Sequence, residues 1–373
     1  MSGRRTALIL YPTDWLQRRE KEWDPLSAAA AAAGLRAIVA DWESIAPGGD
    51  DVTARGVLVR HPGEPAVTPT AEVSFRPDIV LTPWGVDWEH QELWRSITRP
   101  PTLHSESTLL DWLDGKCELE RCLRAHEAAG GRAIPRPETL LWDEIGAEHA
   151  WPAGQSVIVK PDRDGQCRGI EIVPRDRLLD LAKQARSGAR APFVAQRLVD
   201  DVFLYRGRRW DVRLHAMVSS LTPLRYRVYR AGVAKTAARE ATPNSRNLDE
   251  WLNAESHLEG VVEAENLALG SMLAAVEDEH VPLTGFWNRV DALMDALGAA
   301  IAHADREWPH DLGGGFLFMG LDLIVERAPA GGFDLRLLEL NSHPGLGWEG
   351  ECEPDLQASY REWFGDLAAL VPR

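Results

Sequence analysis

The chain has 373 residues, of which 45% are hydrophobic, and a formal net charge of -16. That length and apolar share suffice for substantial cores in two or three folding units, which sets aside a mainly disordered chain. The acidic balance argues against broad contact with a phosphate backbone, so nucleic acid is not an expected partner. No apolar run is long enough to cross a bilayer, and MSGRRTALILYP lacks the apolar core and cleavage site of a secretory signal. Cys117, Cys122, Cys167 and Cys352 show neither metal-binding pairs nor a disulfide-dense pattern, which points to a reducing cytoplasm.

Through the first hundred residues apolar strands alternate with helical stretches: TALILYP, the run Ala28 to Ala33, LRAIVA, GVLVR and DIVLTPW. This is α/β patterning. No glycine-rich nucleotide fingerprint follows the first strand, so support or substrate binding is expected here. Trp84, Asp87 and Trp88 are assigned to a core or domain interface, with an acceptor pocket as the alternative. RPPTLHSEST then marks a boundary, and one helix is predicted over LLDWLDGKCELERCLRAHEAAGG, ending at Gly130 and Gly131. Strands follow at IPRPETLLW, SVIVKP, GIEIV, FVAQRLV, DVRLHAMVS and LRYRVYRA. Residues 248–310 turn helical and acidic. FLFMGLDLIVE and FDLRLLELN restore strands, and LQASYREWFGDLAALV forms a last helix. The units are drawn at 1–105, 106–198 and 199–373.

Four segments carry chemistry. VIVKPDRDGQCRGIEIV is a strand, a polar loop with Gly165 and Gly169, and a second strand; such a loop folds over phosphates while Lys160 adds charge. An ordinary hairpin turn explains the same glycines. Lys116, after Gly115, is a second phosphate candidate, the alternative being a solvated helical lysine. In RRWDVRLHAMVS, Val212, Leu214, Ala216 and Val218 take one face and leave Asp211, Arg213 and His215 on the other. Arg209 and Lys235 extend that charged patch, which is suited to charge developing in phosphoryl transfer or else is merely solvated; His215 is read as structural. With Pro329, Ala330, Gly331 and Gly332 as a turn, Asp322 falls opposite Glu339, and Asn341 shares the Glu339 face. Carboxylates so close in an apolar sheet favour a cation such as magnesium between them; the alternative is a solvated hairpin of ordinary acids.

In this order the segments resemble the ATP-grasp superfamily, most specifically the tubulin-tyrosine ligase-like family. The resemblance covers roughly Lys116 to Gly345 and rests on VIVKP with GQCRGI, QRLV followed by RRWDVR, and GLDL followed by LELNSHPG. It implies a mixed α/β and α+β fold, an ATP-grasp core preceded by an N-terminal α/β domain, with ATP between two subdomains. The 106–198 unit would be the subdomain carrying the phosphate loop, and 199–373 the one carrying magnesium. Lys116, Lys160, Gly165 and Gly169 are implied to hold phosphates, and Gln196, Arg197 and Leu198 the adenine. Asp322, Glu339 and Asn341 are implied to hold Mg2+. Arg209, Asp211, Arg213 and Lys235 would act beside the terminal phosphate and acceptor, with the planar fork of Arg213 orienting a carboxylate. The chain departs from the family at Arg209 and Trp210, where lysine and phenylalanine are usual, at Lys235 in place of arginine, and at His257 to Gly260, HLEG in place of HLTN.

The resulting expectation is an ATP-dependent carboxylate-amine ligase working through an acylphosphate. Its expected substrates are an amino acid, peptide or other small-molecule carboxylate and amine. A protein-modifying amino-acid ligase, a non-catalytic ATP-binding module and a small-molecule kinase are the alternatives.

Overall fold

Thr6–Tyr11, fully buried along its length, is the centre of a parallel layer. It pairs with Arg36–Asp41 on one side and Ile79–Leu81 on the other, and Leu103–Ser105 continues the layer. Strands covered on both faces read as unbroken apolar runs, which is why TALILY and IVL show no polar alternation. The helix Glu20–Ala32 lays Leu26, Ala29 and Ala30 on that sheet. These coordinates are a computed structural model that describes residues 5–12, 20–48, 51–68, 71–83, 90–98, 102–105, 108–146, 151–152, 155–163, 167–243, 245–252, 265–279, 283–307, 315–342, 344 and 353–371. Trp84, Asp87, Trp88, Gly165 and the HLEG segment lie outside the described residues.

The sheet does not end at residue 105. Leu103–Ser105 pairs in parallel with the start of Gly315–Arg327, His104 opposite Gly315, so first and last thirds of the chain share one 11-stranded sheet. In that sheet Gly315–Arg327 also pairs antiparallel with Arg208–Leu221 and with Phe333–Asn341. Arg208–Leu221 in turn pairs with Val233–Glu240. The helix Phe286–Glu307 contributes Val290, Leu297 and Ile301 to the core beneath these long strands. A separate four-stranded sheet orders Glu171–Pro174, Ser156–Pro161, Phe193–Arg197 and Thr139–Leu141. Its Val157, Val159 and Ala195 face the helix Leu178–Arg186, while the alternate residues Ile158, Lys160 and Gln196 turn toward the large sheet.

One predicted helix is two. Thr108–Asp114 stops before Gly115, and Lys116–Ala128 begins after it. Asp162, just beyond the Ser156–Pro161 strand, supplies the break: its carbonyl accepts from Lys116 N–H at 3.1 Å and its Oδ1 from Cys117 N–H at 2.8 Å. These are two of the donors a helix start leaves unpaired. The cap is distant in sequence, so composition alone reads one continuous helix. Among the described residues no helix is long and apolar enough to cross a membrane.

The closing helix Glu353–Leu370 sets Tyr360, Trp363, Phe364 and Leu367 into the same core as Ile9, Ala29 and Phe318. Trp363 stacks on Phe318 with ring centroids 4.0 Å apart. His215, 1% exposed, stacks on Phe318 of this cluster with ring centroids 5.6 Å apart, a structural position. Trp363→Ala should therefore cost about 3–5 kcal/mol, measured by urea unfolding. A loss below about 1 kcal/mol would show that the helix does not share the core.

Candidate functional site

The hairpin of Gly315–Arg327 and Phe333–Asn341 turns through Ala328 to Gly332, where Gly331 and Gly332 adopt φ of +92° and +81°. Asp322 lies opposite Glu339, and Gly320 opposite Asn341. A bulge follows Asp322, since Leu323 pairs with Leu337 and leaves Leu338 over. Across the other edge Arg213 pairs with Asp322, and Asp211 with Lys235. Four strand positions thereby converge on one buried spot.

Charges alternate there. Arg213 grips Asp322 through two N–H groups, Nε to Oδ1 and Nη2 to Oδ2, the latter at 2.9 Å. Lys235 Nζ lies 3.0 Å from Asp322 Oδ2 and 2.7 Å from Asp211 Oδ1. Arg213 Nη1 also donates to the Pro344 carbonyl at 2.8 Å. Gly320 makes room for this, because a Cβ on it would meet Pro344 Cβ at 2.6 Å and Arg213 Cδ at 3.0 Å. Burial by itself would raise the Asp322 carboxyl, but Arg213 and Lys235 outweigh it and hold the group far below the carboxylate range. Burial dominates at Asp211 and raises it despite Lys235.

The small sheet and the second helix bring two more cations. Lys160 is 7% exposed; burial pushes its ammonium down, Glu339 counteracts, and Lys116 adds to the depression. Lys116 Nζ approaches Glu339 Oε2 at 3.8 Å. Thus Lys116, Lys160, Arg213 and Lys235 face Asp211, Asp322 and Glu339, one cation more than the carboxylates balance. Such a surplus favours an anion, which would counteract the burial that pushes Lys160 down.

Beside the ions opens a cleft walled by Ile158, Leu198, Val199, Ile324 and Leu338 and bordered by Lys160, Asp211 and Lys235. Gln196 and Arg197 line it as well. A second, smaller cavity, lined by Lys116, Glu120, Arg136 and Thr139, shares Lys160, Gln196 and Leu338 with it. Gln196 is 7% exposed, and its Oε1 has no hydrogen-bond partner among the described residues. An apolar slot with a cationic end and an unmatched polar group suits a flat, hydrogen-bonding ring attached to phosphates.

Asp322, Glu339 and Asn341 fit a magnesium ion as a partial ligand set. Oδ2 of Asp322 accepts from Arg213 and Lys235 and Oδ1 from Arg213 alone, which leaves Oδ1 a lone pair, while Glu339 makes the longer Lys116 contact. The buried Asn341 Nδ2 lacks a partner among the described residues, and turning the amide would present its oxygen instead. Among those residues no three His, Cys, Asp or Glu side chains form a closed cage. Magnesium needs none, since one or two carboxylates plus phosphate and water complete its octahedron.

Other sequence-chosen residues take different places. Arg209 lines the cleft, but its guanidinium stacks on Trp251 at 3.7 Å, donates to the Glu250 carbonyl, and stands outside the Arg213–Asp322–Lys235 chain. The face of the Arg213 fork expected to hold a substrate carboxylate is taken by Asp322. Gly169 adopts φ of +67° in the turn before Glu171–Pro174. Sequence reasoning passed over Asp162, Thr139, Trp251 and Cys167. Asp162 was the most legible of them, since it follows Lys160 by two residues. Cys167 lies among Lys235, Glu339, Asp211 and Lys160, and burial pushes its thiol up to about 11.

Two sheets closing on a cation-rich, apolar-walled cleft, with carboxylates on the facing hairpin, are the arrangement of an ATP-grasp type of fold. The model of the tubulin-tyrosine ligase family matches residues 90–359, and the chain belongs to that family, whose members are ATP-dependent ligases forming carbon-nitrogen bonds. Among curated relatives, tubulin polyglutamylase ttll-5 of Caenorhabditis elegans is 25% identical over 228 residues, 56% of this chain and 29% of that protein. Tubulin polyglutamylase TTLL6 of Mus musculus is 30% identical over 110 residues, covering 29% of this chain and 12% of that protein. Tubulin monoglutamylase TTLL4 of Mus musculus is 26% identical over 117 residues, 31% and 9% of the respective chains. The chain therefore spans less than a third of these relatives' lengths.

The Asp322 carboxylate yields a pH prediction. Its native pKa lies below the unfolded value near 3.9, so its contribution is complete above about pH 5 and is lost as acid protonates it. Asp322→Asn should lose about 3–5 kcal/mol at pH 7, because Arg213 and Lys235 stay buried without their anion. It should also flatten the fall in unfolding free energy between about pH 5 and 2. An unchanged acid slope would mean that Asp322 is not held ionised by these partners.

Proposed function

We propose that this chain is an ATP- and magnesium-dependent ligase that joins an amino acid to a carboxylate on a protein or peptide. The carrying observation is the buried Arg213–Asp322–Lys235–Asp211 chain set beside Lys160, Lys116 and Glu339 at the mouth of the Gln196 cleft. Gln196, Arg197 and Leu198 border the base, with Ile158 and Leu338 against its faces. Lys116 and Lys160 meet the phosphates. Glu339, Asn341 and the free capacity of Asp322 would hold a magnesium ion, which would supply positive charge to offset the phosphates.

The acceptor carboxylate attacks the terminal phosphorus, the bond to ADP breaks, and an acylphosphate forms. The incoming amine then attacks the acyl carbon, loses a proton and expels phosphate. Lys235 is held cationic by Asp211 and Asp322 and borders the cleft where negative charge gathers, while Arg213 holds Asp322 in place. Asp211, the carboxylate raised by burial, faces the cleft and is the group placed to receive the amine's proton. Arg209 on Trp251 forms the cleft wall on the acceptor side.

The relatives' names favour a protein acceptor over the small metabolite expected from sequence, and they suggest glutamate as the amino acid. Incubating the protein with MgATP, glutamate, and either tubulin and peptide pools or small carboxylate pools separates the two readings by product mass. A glutamyl adduct on protein or peptide is expected, with ADP and phosphate released. Lys160→Met and Glu339→Gln should each lower turnover at least about 10³-fold while the fold persists. Adducts only on small metabolites would reverse the acceptor assignment, and tight MgATP binding without product from any pool would make the chain a binding module.

A further inference from the structure

Thr139 and Gln196 sit directly opposite each other on neighbouring antiparallel strands. Both are buried, 6% and 7% exposed, and both line the smaller cavity. Thr139 Oγ1 lies 2.9 Å from the Pro137 carbonyl oxygen, which can only accept. The hydroxyl has one proton, and this contact uses it. The same Oγ1 lies 3.2 Å from a Gln196 amide atom, and toward that atom it can only act as an acceptor. The facing atom must then be the donor Nε2, because an oxygen there would set two acceptors against each other. The order Pro137 carbonyl, Thr139 hydroxyl, Gln196 amide thereby fixes which end of the amide is left over. It is Oε1, buried and without a partner among the described residues.

From this geometry we propose that Thr139 is a positioning residue that locks the Gln196 amide with its oxygen toward the cleft, so that the site selects a 6-aminopurine nucleotide over a 6-oxopurine one. The inference rests on the nucleotide reading of the cleft. An amino group at the purine 6-position donates to Oε1 and satisfies it. An oxo group brings a second acceptor to the same point, and the lock prevents the amide from turning to offer Nε2 instead. Gln196 alone would not discriminate, since a free glutamine amide can present either end.

The experiment compares MgATP with MgITP, which differ at the 6-position, by calorimetric titration of the full chain. Wild type should bind MgATP at least about tenfold more tightly than MgITP, the scale of one buried hydrogen bond unmade. Thr139→Val keeps the branched shape but releases the amide, and the ATP-to-ITP ratio should fall about tenfold, mainly through stronger ITP binding. Thr139→Ser restores the hydroxyl and should restore the ratio. Circular dichroism and urea unfolding of Thr139→Val verify the fold, and Thr139→Ala supplies a second release variant if valine does not fold. A wild-type ratio in the folded release variant overturns the lock while leaving the nucleotide site in place. Failure of wild type to bind either nucleotide overturns the nucleotide reading, and the lock with it.

Discussion

The large sheet is organised around a charge that has no place in an apolar core unless it is paired. Asp322 sits on a strand whose neighbours Leu321 and Leu323 are fully buried, and it stays ionised only because Arg213 and Lys235 reach it from the adjoining strands. Burying such ions costs several kcal/mol each, and pairing offsets this only with close geometry. That requirement dictates the strand order. Arg208–Leu221 must lie between the lysine strand and the aspartate strand, Gly320 must be bare so that Arg213 can cross it, and Asp211 must sit opposite Lys235. An apolar cluster would stabilise the sheet as well, so the ions point to a task beyond stability.

The second constraint links the small sheet to the helix beside it. Asp162 caps Lys116–Ala128 from the end of the Lys160 strand, so the two lysines are placed by one residue. Glu120 and Glu127 of that helix hold Arg136, while Arg124 reaches the Thr139 carbonyl. Helix and small sheet are tied into one body around the smaller cavity, with Gln196 and Thr139 in its wall. The body that carries Gln196 and Thr139 thus also carries Lys116 and Lys160, whereas the carboxylates belong to the large sheet. A ligand bridging the two would draw its affinity from both, as expected of a cleft that closes on its substrate.

Much of this was legible beforehand. The Asp322–Glu339 opposition followed from a turn at Pro329 to Gly332 and the period of a strand, both local properties. The charged face of RRWDVRLH followed from alternation. Local patterning also located the first buried strand and the closing helix. The resemblance to the ligase family rested on these same short segments, and the family match over residues 90–359 accords with it. The acceptor was the least legible part: the relatives' names favour the protein acceptor kept as the alternative, because HLEG, Trp210 and the acidic balance say how the chain departs from its relatives without saying what replaces the lost contacts.

What the sequence determined by itself is whatever depends on neighbours in the chain: which runs are strands, which faces are charged, and which carboxylates meet across a hairpin. Tertiary structure decided the rest. It joined Leu103–Ser105 to Gly315–Arg327, capped a helix with Asp162, stacked Arg209 on Trp251 and closed the Arg213 fork on Asp322. Each of these joins residues more than 40 positions apart, through a hydrogen bond or ring contact whose partner no local period reveals. Short-range periodicity encodes which way a side chain points, and only the folded chain encodes what it meets there.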